Sequence, residues 1–234
     1  MNTAKGKTVL ITGANGNLGG ATTALFLEKG YTVVAAVHTE AAKQNMPDHP
    51  RLHVHVVRLD NETEAASFVQ ASIDTHKKID AALLLAGGFT SGDIAATPSG
   101  EIKQQISLNF DTAYHTARPL LNHMLRNNYG RLLFVGARPA IEAGAGKHSI
   151  AYSLSKSLLF KLAEYINAEA KGKNVTATVV VPSTLDTPPN RKAMPDKNPA
   201  DWVKPQALAE ILEFVCADVS SPLRESILKV YNNS

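Results

Sequence analysis

The run Lys7 to Thr12 (KTVLIT) passes directly into Gly13-Ala14-Asn15-Gly16-Asn17-Leu18-Gly19-Gly20, and a helical pattern through Ala24, Leu25 and Leu27 follows. The first run lacks the apolar–polar alternation of a half-exposed strand and reads as one buried on both faces. Gly30 stands where the helix would end, and Thr32 to Val37 (TVVAAV) is a second β-rich run. Strand, glycine turn, helix and strand within about thirty residues make a βαβ unit, whose two strands run parallel. Glycines 13, 16 and 19 let the backbone turn tightly and approach a pyrophosphate seated at the helix N-terminus. Asn15, Asn17 and Leu18 belong to the same binding turn. A ligand-free Gly-rich turn is the competing reading, and the flanking elements favour a dinucleotide.

Strands and helices keep alternating. Leu52 to Leu59 reads as a third strand, Glu62 to Thr75 as a helix, and Ile79 to Leu85 as a fourth strand running into Ala86-Gly87-Gly88. One helical stretch covers Gly100 to about Asn127, and Arg131 to Val135 is a fifth strand. Val175 to Val181 is a sixth, closed by Pro182; a helix from Pro205 to Ala217 and a strand near Ser226 to Val230 finish the chain. The pattern predicts an α/β fold, a doubly wound Rossmann sheet of six or seven parallel strands with helices on both faces. At 234 residues the expectation is one domain, 1–234. Two segments read as loops, Gly88 to Pro98 and the proline-rich Pro182 to Asp201, and both follow strand C-termini, where such sheets bind ligands. The second is the expected substrate-side lid. His53 and His55 share one strand face, but with no third ligand in view they read as ordinary histidines rather than a metal site.

Tyr152 and Lys156 stand four residues apart at the head of a helical run through Leu158, Leu159, Leu162, Tyr165 and Ile166. That spacing puts both side chains on one helix face. A phenol is normally protonated at neutral pH, and an ammonium one turn away is expected to lower its pKa. The pair is then a tunable proton donor for carbonyl or imine reduction. Surface pairing or core packing is the bland alternative, and the rest of the chain argues against it.

Composition narrows the partners. Net charge is +3 and the Lys and Arg residues are scattered, which gives no nucleic-acid surface and no polybasic membrane anchor. No apolar run approaches the roughly 20 residues of a bilayer span. The opening residues, Met1 to Lys7, are polar rather than leader-like. The one cysteine, Cys216, sits among apolar residues and cannot form an internal disulfide, so a cytoplasmic setting is expected.

With the glycine turn and the Tyr-x-x-x-Lys helix in place, the chain resembles the short-chain dehydrogenase/reductase family over nearly its whole length. The turn's middle glycine comes at a three-residue step where the commoner members use four. The resemblance implies that Asp60 binds adenine and that Ala86-Gly87, with Gly88, ends the fourth strand beside the cofactor. It further implies that Asn109 organises a proton-relay water, and that Tyr152 and Lys156 are the catalytic pair. Thr187 would contact the nicotinamide carboxamide, with Pro182 and Thr184 beside it. The family usually supplies a serine after the fifth strand to hold the substrate oxygen; here Ala137 stands in that place. Ser149 and Ser153 lie too near Tyr152 in sequence to replace it. Leu85-Ala86-Gly87-Gly88-Phe89, Gly136 to Ala140 and Thr184 to Pro195 resemble the dihydropteridine reductase-like subgroup, which also lacks the serine and reduces an electron-poor quinonoid ring.

The implied cofactor is NAD(P)H. The second strand ends at Val37-His38-Thr39 with no carboxylate to repel a 2′-phosphate, and His38 can meet one when protonated, so the local residues favour NADPH. The resemblance to the subgroup favours NADH. The implied partners are a small-molecule substrate and further copies of the chain, as a homodimer or homotetramer built through the helices around Ile102–Leu125 and Tyr152–Ala170. A carbonyl reductase with a different small substrate is one rival reading. A cofactor-binding regulatory protein with weak or lost catalysis is another, fed by Ala137 and by Leu84-Leu85 in place of the family's asparagines.

Overall fold

Strand β1 (Thr8–Thr12) is buried along its whole length, yet its side chains alternate between two cores. Leu10 faces one side of the sheet, while Val9 and Ile11 face the other. The same alternation holds in β2 (Thr32–Val37), where Val34 and Ala36 join Leu10, and Val33, Ala35 and Val37 join Ile11. Period-two geometry therefore demands apolar residues at every position, which is why these strands read as continuous apolar runs.

Helices cover both faces. The side holding Leu10 is closed by α3 (Glu62–His76), α5 (Thr112–Asn127) and α7 (Ile150–Glu169), through residues such as Phe68, Leu120 and Leu159. The other side is closed by α1 (Asn17–Lys29) and α9 (Pro205–Cys216), through Phe26, Leu208 and Leu212. The remaining helices are α2 (Glu40–Gln44), α4 (Ser99–Ile106), α6 (Ala143–Gly146) and α8 (Pro188–Ala193). With β3 (Leu52–Val56), β4 (Ala81–Leu84), β5 (Gly130–Val135), β6 (Val175–Pro182) and β7 (Ile227–Val230), the sheet has seven strands in the order β3-β2-β1-β4-β5-β6-β7. All neighbours pair in parallel, with Ile11 in register with Ala35 on one side and Leu83 on the other. The winding reverses between β1 and β4, so a crevice opens at their C-terminal ends. The computed structural model describes residues 6–233; positions 1–5 of the polar opening stretch lie outside them.

Three expectations need correction. The helix read over Gly100–Asn127 is α4 and α5 joined by a π turn, Ser107–Asp111. The turn carries Asn109, a buried polar side chain that reaches Gly88 and Ser155 on other parts of the chain and to which apolar periodicity is blind. The proline-rich segment 182–201 contains α8 and a 3-10 turn, Pro199–Asp201. Pro188 and Pro189 open α8, where a missing N–H costs nothing, and Thr187 caps it. The third strand stops at Val56 rather than Leu59, because the chain leaves the sheet edge there to line the crevice.

The two histidines of β3 have aromatic neighbours: His53 meets His76 edge-on at 4.7 Å and His55 tilts against Phe68 at 5.4 Å. Among the described residues no group of three or more His, Cys, Asp or Glu is arranged to hold a metal. Among them too, no helix is long and apolar enough to cross a membrane.

Candidate active site

The crevice begins where β1 gives way to the glycine turn. Gly13 has a φ of +63°, and a Cβ there would lie 3.0 Å from the backbone of Ala86. Only glycine lets the ends of β1 and β4 come this close, and Thr12 Oγ1 secures the approach by accepting a hydrogen bond from Ala86 N at 3.1 Å. Gly19 is needed for packing: a Cβ there would meet Gly13 O at 2.1 Å, so the first turn of α1 can rest on the end of β1. Helix α1 starts at Gly16 with no capping side chain and no acidic residue in its first turn. Its positive end and free N–H groups therefore remain available to an anion.

A cleft of about 690 Å³ runs from this turn across the sheet edge. Gly13, Asn15 and Gly16 form one wall, His38 and Asp60 the far end, and Ala86 and Gly87 the inner end. The glycine-lined wall, the unopposed helix terminus and the cleft's size fit a dinucleotide. Asn17, Leu18 and Gly19 belong to the first turn of α1 and do not line the cleft. His38 and Asp60 are both exposed, and Asp60 is the sole carboxylate among the lining residues.

Asn109 is buried and spends its whole amide. Its Oδ1 accepts from Gly88 N at 3.0 Å; the two N–H groups of its Nδ2 are shared among three acceptors, Gly88 O at 3.1 Å, Gln105 Oε1 at 2.9 Å and Ser155 Oγ at 3.1 Å. Ser155 Oγ in turn donates to Tyr152 O at 2.8 Å. The π turn is thus tied both to the end of β4 and to the helix carrying Tyr152. Lys156, also buried, donates from Nζ to Val135 O at 2.9 Å, at the end of β5. A Cβ on Gly87 would lie 2.4 Å from Asn109 Oδ1 and 3.3 Å from Lys156 Nζ, so glycine there keeps the inner end of the cleft open to the lysine.

Tyr152 packs edge-on against Phe89, ring centroids 5.0 Å apart, and Phe89 is largely exposed on the loop after β4. That loop is stitched to the start of α7: Gly92 N donates to His148 O and Ile150 N to Gly92 O. The electrostatics differ from the expectation. Tyr152 as a residue is half-buried, but burial of its hydroxyl end pushes its pKa up to about 12. Burial likewise pushes Lys156 down to about 8. Desolvation governs both groups, and the ammonium spends its hydrogen bond on Val135 instead of the phenol.

Ala137 is buried and offers no hydroxyl after β5. Ser149 and Ser153 do not replace it, since their Oγ atoms lie 3.2 Å apart and bond each other. Pro182 ends β6, Thr184 O accepts from Val203 N, and Thr187 Oγ1 accepts from Asn190 N at 3.4 Å as the cap of α8. None of these three lines the cleft, nor does Gly88. The sequence reading missed Gln105, Ser155 and Phe89. The first two were within reach of spacing: Gln105 precedes Asn109 by one turn, and Ser155 follows Tyr152 by one.

Known proteins resemble this chain along its length. A family model described as short chain dehydrogenase matches residues 7–198. A dihydropteridine reductase of Dictyostelium discoideum is 26% identical over 232 residues, covering 97% of this chain and 96% of that one. A 3-oxoacyl-(acyl-carrier-protein) reductase of Thermotoga maritima is 21% identical, over 97% and 96% of the two chains. Among solved structures, an NAD+-bound xylitol dehydrogenase superposes with a TM-score of 0.85 at 18% identity, over 97% and 98% of the two chains.

Proposed function

Since the chain belongs to the short chain dehydrogenase family and is an oxidoreductase, we propose that it reduces a small quinonoid, pteridine-like or carbonyl substrate with NAD(P)H, using Tyr152 as proton donor. The observation that carries this reading is the meeting of two features at one sheet edge. The buried Lys156 of the Tyr152 helix lies against Gly87, and Gly87 lines the cleft that starts at the glycine turn. Residues 1–234 act as one cofactor-binding unit with the segment 182–201 on its substrate side.

A bound reduced nicotinamide supplies the hydride. The chain's own residues do the rest. The turn from Gly13 to Gly19 and the free end of α1 bind the pyrophosphate. Asp60 would receive the adenine side and Ala86 and Gly87 would border the inner half, while Gly88, Pro182, Thr184 and Thr187 stand outside the cleft lining. Lys156 orients the ribose, and Asn109 fixes the end of β4 against the helix that carries the donor. With its pKa pushed up to about 12, Tyr152 carries its proton at neutral pH but is a weaker acid than a free phenol. An electron-poor quinonoid ring needs little help with developing negative charge, which suits a site with Ala137 where a hydroxyl would stand. His38 at the cleft's far end, with no carboxylate on β2 beside it, inclines the cofactor choice to NADPH.

The test is oxidation of NADH and NADPH by the purified protein with freshly generated quinonoid dihydropterin, then with a panel of ketones and quinones. Tyr152→Phe should lower turnover by roughly 100-fold or more while cofactor affinity holds. Unchanged turnover in that variant would remove Tyr152 from the chemistry. A second reading, a cofactor-binding regulatory protein, draws on the raised Tyr152 pKa together with the missing hydroxyl. Tight cofactor binding with no turnover on any substrate would favour it.

A further inference from the structure

Asp60 sits at the far end of the cleft, and its own side chain makes no hydrogen bond among the described residues. Its placement therefore depends on how the backbone of the β3–α3 connection is held. On the sheet side, Val57 N donates to Val37 O. On the helix side, His115 of α5 places Nδ1 at 3.1 Å from Leu59 O, the carbonyl directly before Asp60. A carbonyl can only accept, so Nδ1 carries the hydrogen. One turn further along α5, Arg118 pairs with Glu62 at the start of α3. Leu59 and Asp60 both line the cleft, whereas His115 does not.

We propose that His115 is a positioning residue for the adenine end of the cofactor cleft, acting through its hydrogen bond to the Leu59 carbonyl. The inference rests on the reading of this cleft as a dinucleotide site. It deepens that reading, because it assigns the binding strength of the cleft's far end to a side chain on a helix that approaches from behind. A half-buried histidine in this place also fixes one orientation of the peptide between Leu59 and Asp60. A looser connection would let the carboxylate swing away from the cleft.

The experiment compares the wild type with His115→Leu, His115→Asn and Asp60→Ala, in fluorescence titrations of NADPH, NADH and reduced nicotinamide mononucleotide, which lacks the adenosine half. His115→Leu is expected to weaken binding of the preferred dinucleotide by about tenfold, the scale of one lost hydrogen bond. His115→Asn, whose amide N–H reaches about where Nδ1 sat, should recover most of that loss. The mononucleotide should bind all four proteins alike. Equal weakening in the Leu and Asn variants, or parallel weakening toward the mononucleotide, would reduce His115 to packing and overturn the proposal. So would a His115→Leu variant that binds the dinucleotide like wild type while Asp60→Ala is weakened; that outcome leaves the cleft's assignment standing. A wild type that binds neither dinucleotide overturns the assignment and the proposal together.

Discussion

Lys156 is a cation with almost no contact with water, held by one carbonyl, and its depressed pKa has a measurable sign. Below about pH 8 the folded chain keeps it charged in a dry place, which costs stability. Between about 8 and the ordinary 10.5 the folded chain has released that proton while the unfolded chain still holds it, so this residue's contribution to stability rises with pH. Tyr152 runs the other way: between 10.0 and about 12 the folded chain keeps a proton the unfolded chain has lost, so stability falls there. Lys156→Met should therefore be more stable than wild type near neutrality, with the gap shrinking as pH approaches about 10. Denaturant midpoints of both proteins across that range give the answer, and a gap independent of pH would contradict the assignment. The identities of Tyr152 and Lys156 were legible from a four-residue spacing. Their electrostatics were not, because a spacing tells which groups are neighbours and not how dry the site is.

Helix ends carry the next prediction. Lys77 closes α3 with a φ of 64°, a left-handed conformation that suits glycine far better than a residue with a Cβ. Its side chain recovers part of the strain by donating to Asp74 O at 2.7 Å. Lys77→Gly should raise the melting temperature by about 1–3 °C, the effect of several tenths of a kcal/mol in a chain of this size. A lower melting temperature in calorimetry would mean that the hydrogen bond outweighs the strain. Elements as such were well signalled: β1 and β2 by nearly unbroken apolar runs, β6 by a β-branched run rich in Val and Thr, and the end of α1 by Gly30, which has a φ of 98°. The π turn and α8 were hidden for different reasons. The π turn coincides with Asn109, whose partners are set by the folded chain, and Pro188-Pro189 carries the same letters whether it breaks a helix or starts one.

For the whole molecule, α7 exposes Leu154, Leu158 and Tyr165, and the α4–α5 side exposes Leu108 and Tyr114, apolar surface suited to a second copy of the chain. Sedimentation should give a mass of two or four chains, and Leu158→Glu should shift it toward one; a wild type that runs as a monomer would refute the expected assembly. Alternation alone predicted a parallel sheet of six or seven strands, and the described residues form seven, whereas the exposed His38 at the cleft and Phe89 on the loop after β4 are features that no periodicity encodes. The strand order has a further consequence, in time. Strand β1 lies inside the sheet, between β2 and β4. Its register with Ala81 closes a long excursion of chain before that side of β1 is covered. Early hairpin-like shortcuts are closed to an all-parallel sheet, so this protein should assemble outward from β1 and β4 and finish at its edges, a slow-folding architecture in which β7 arrives last.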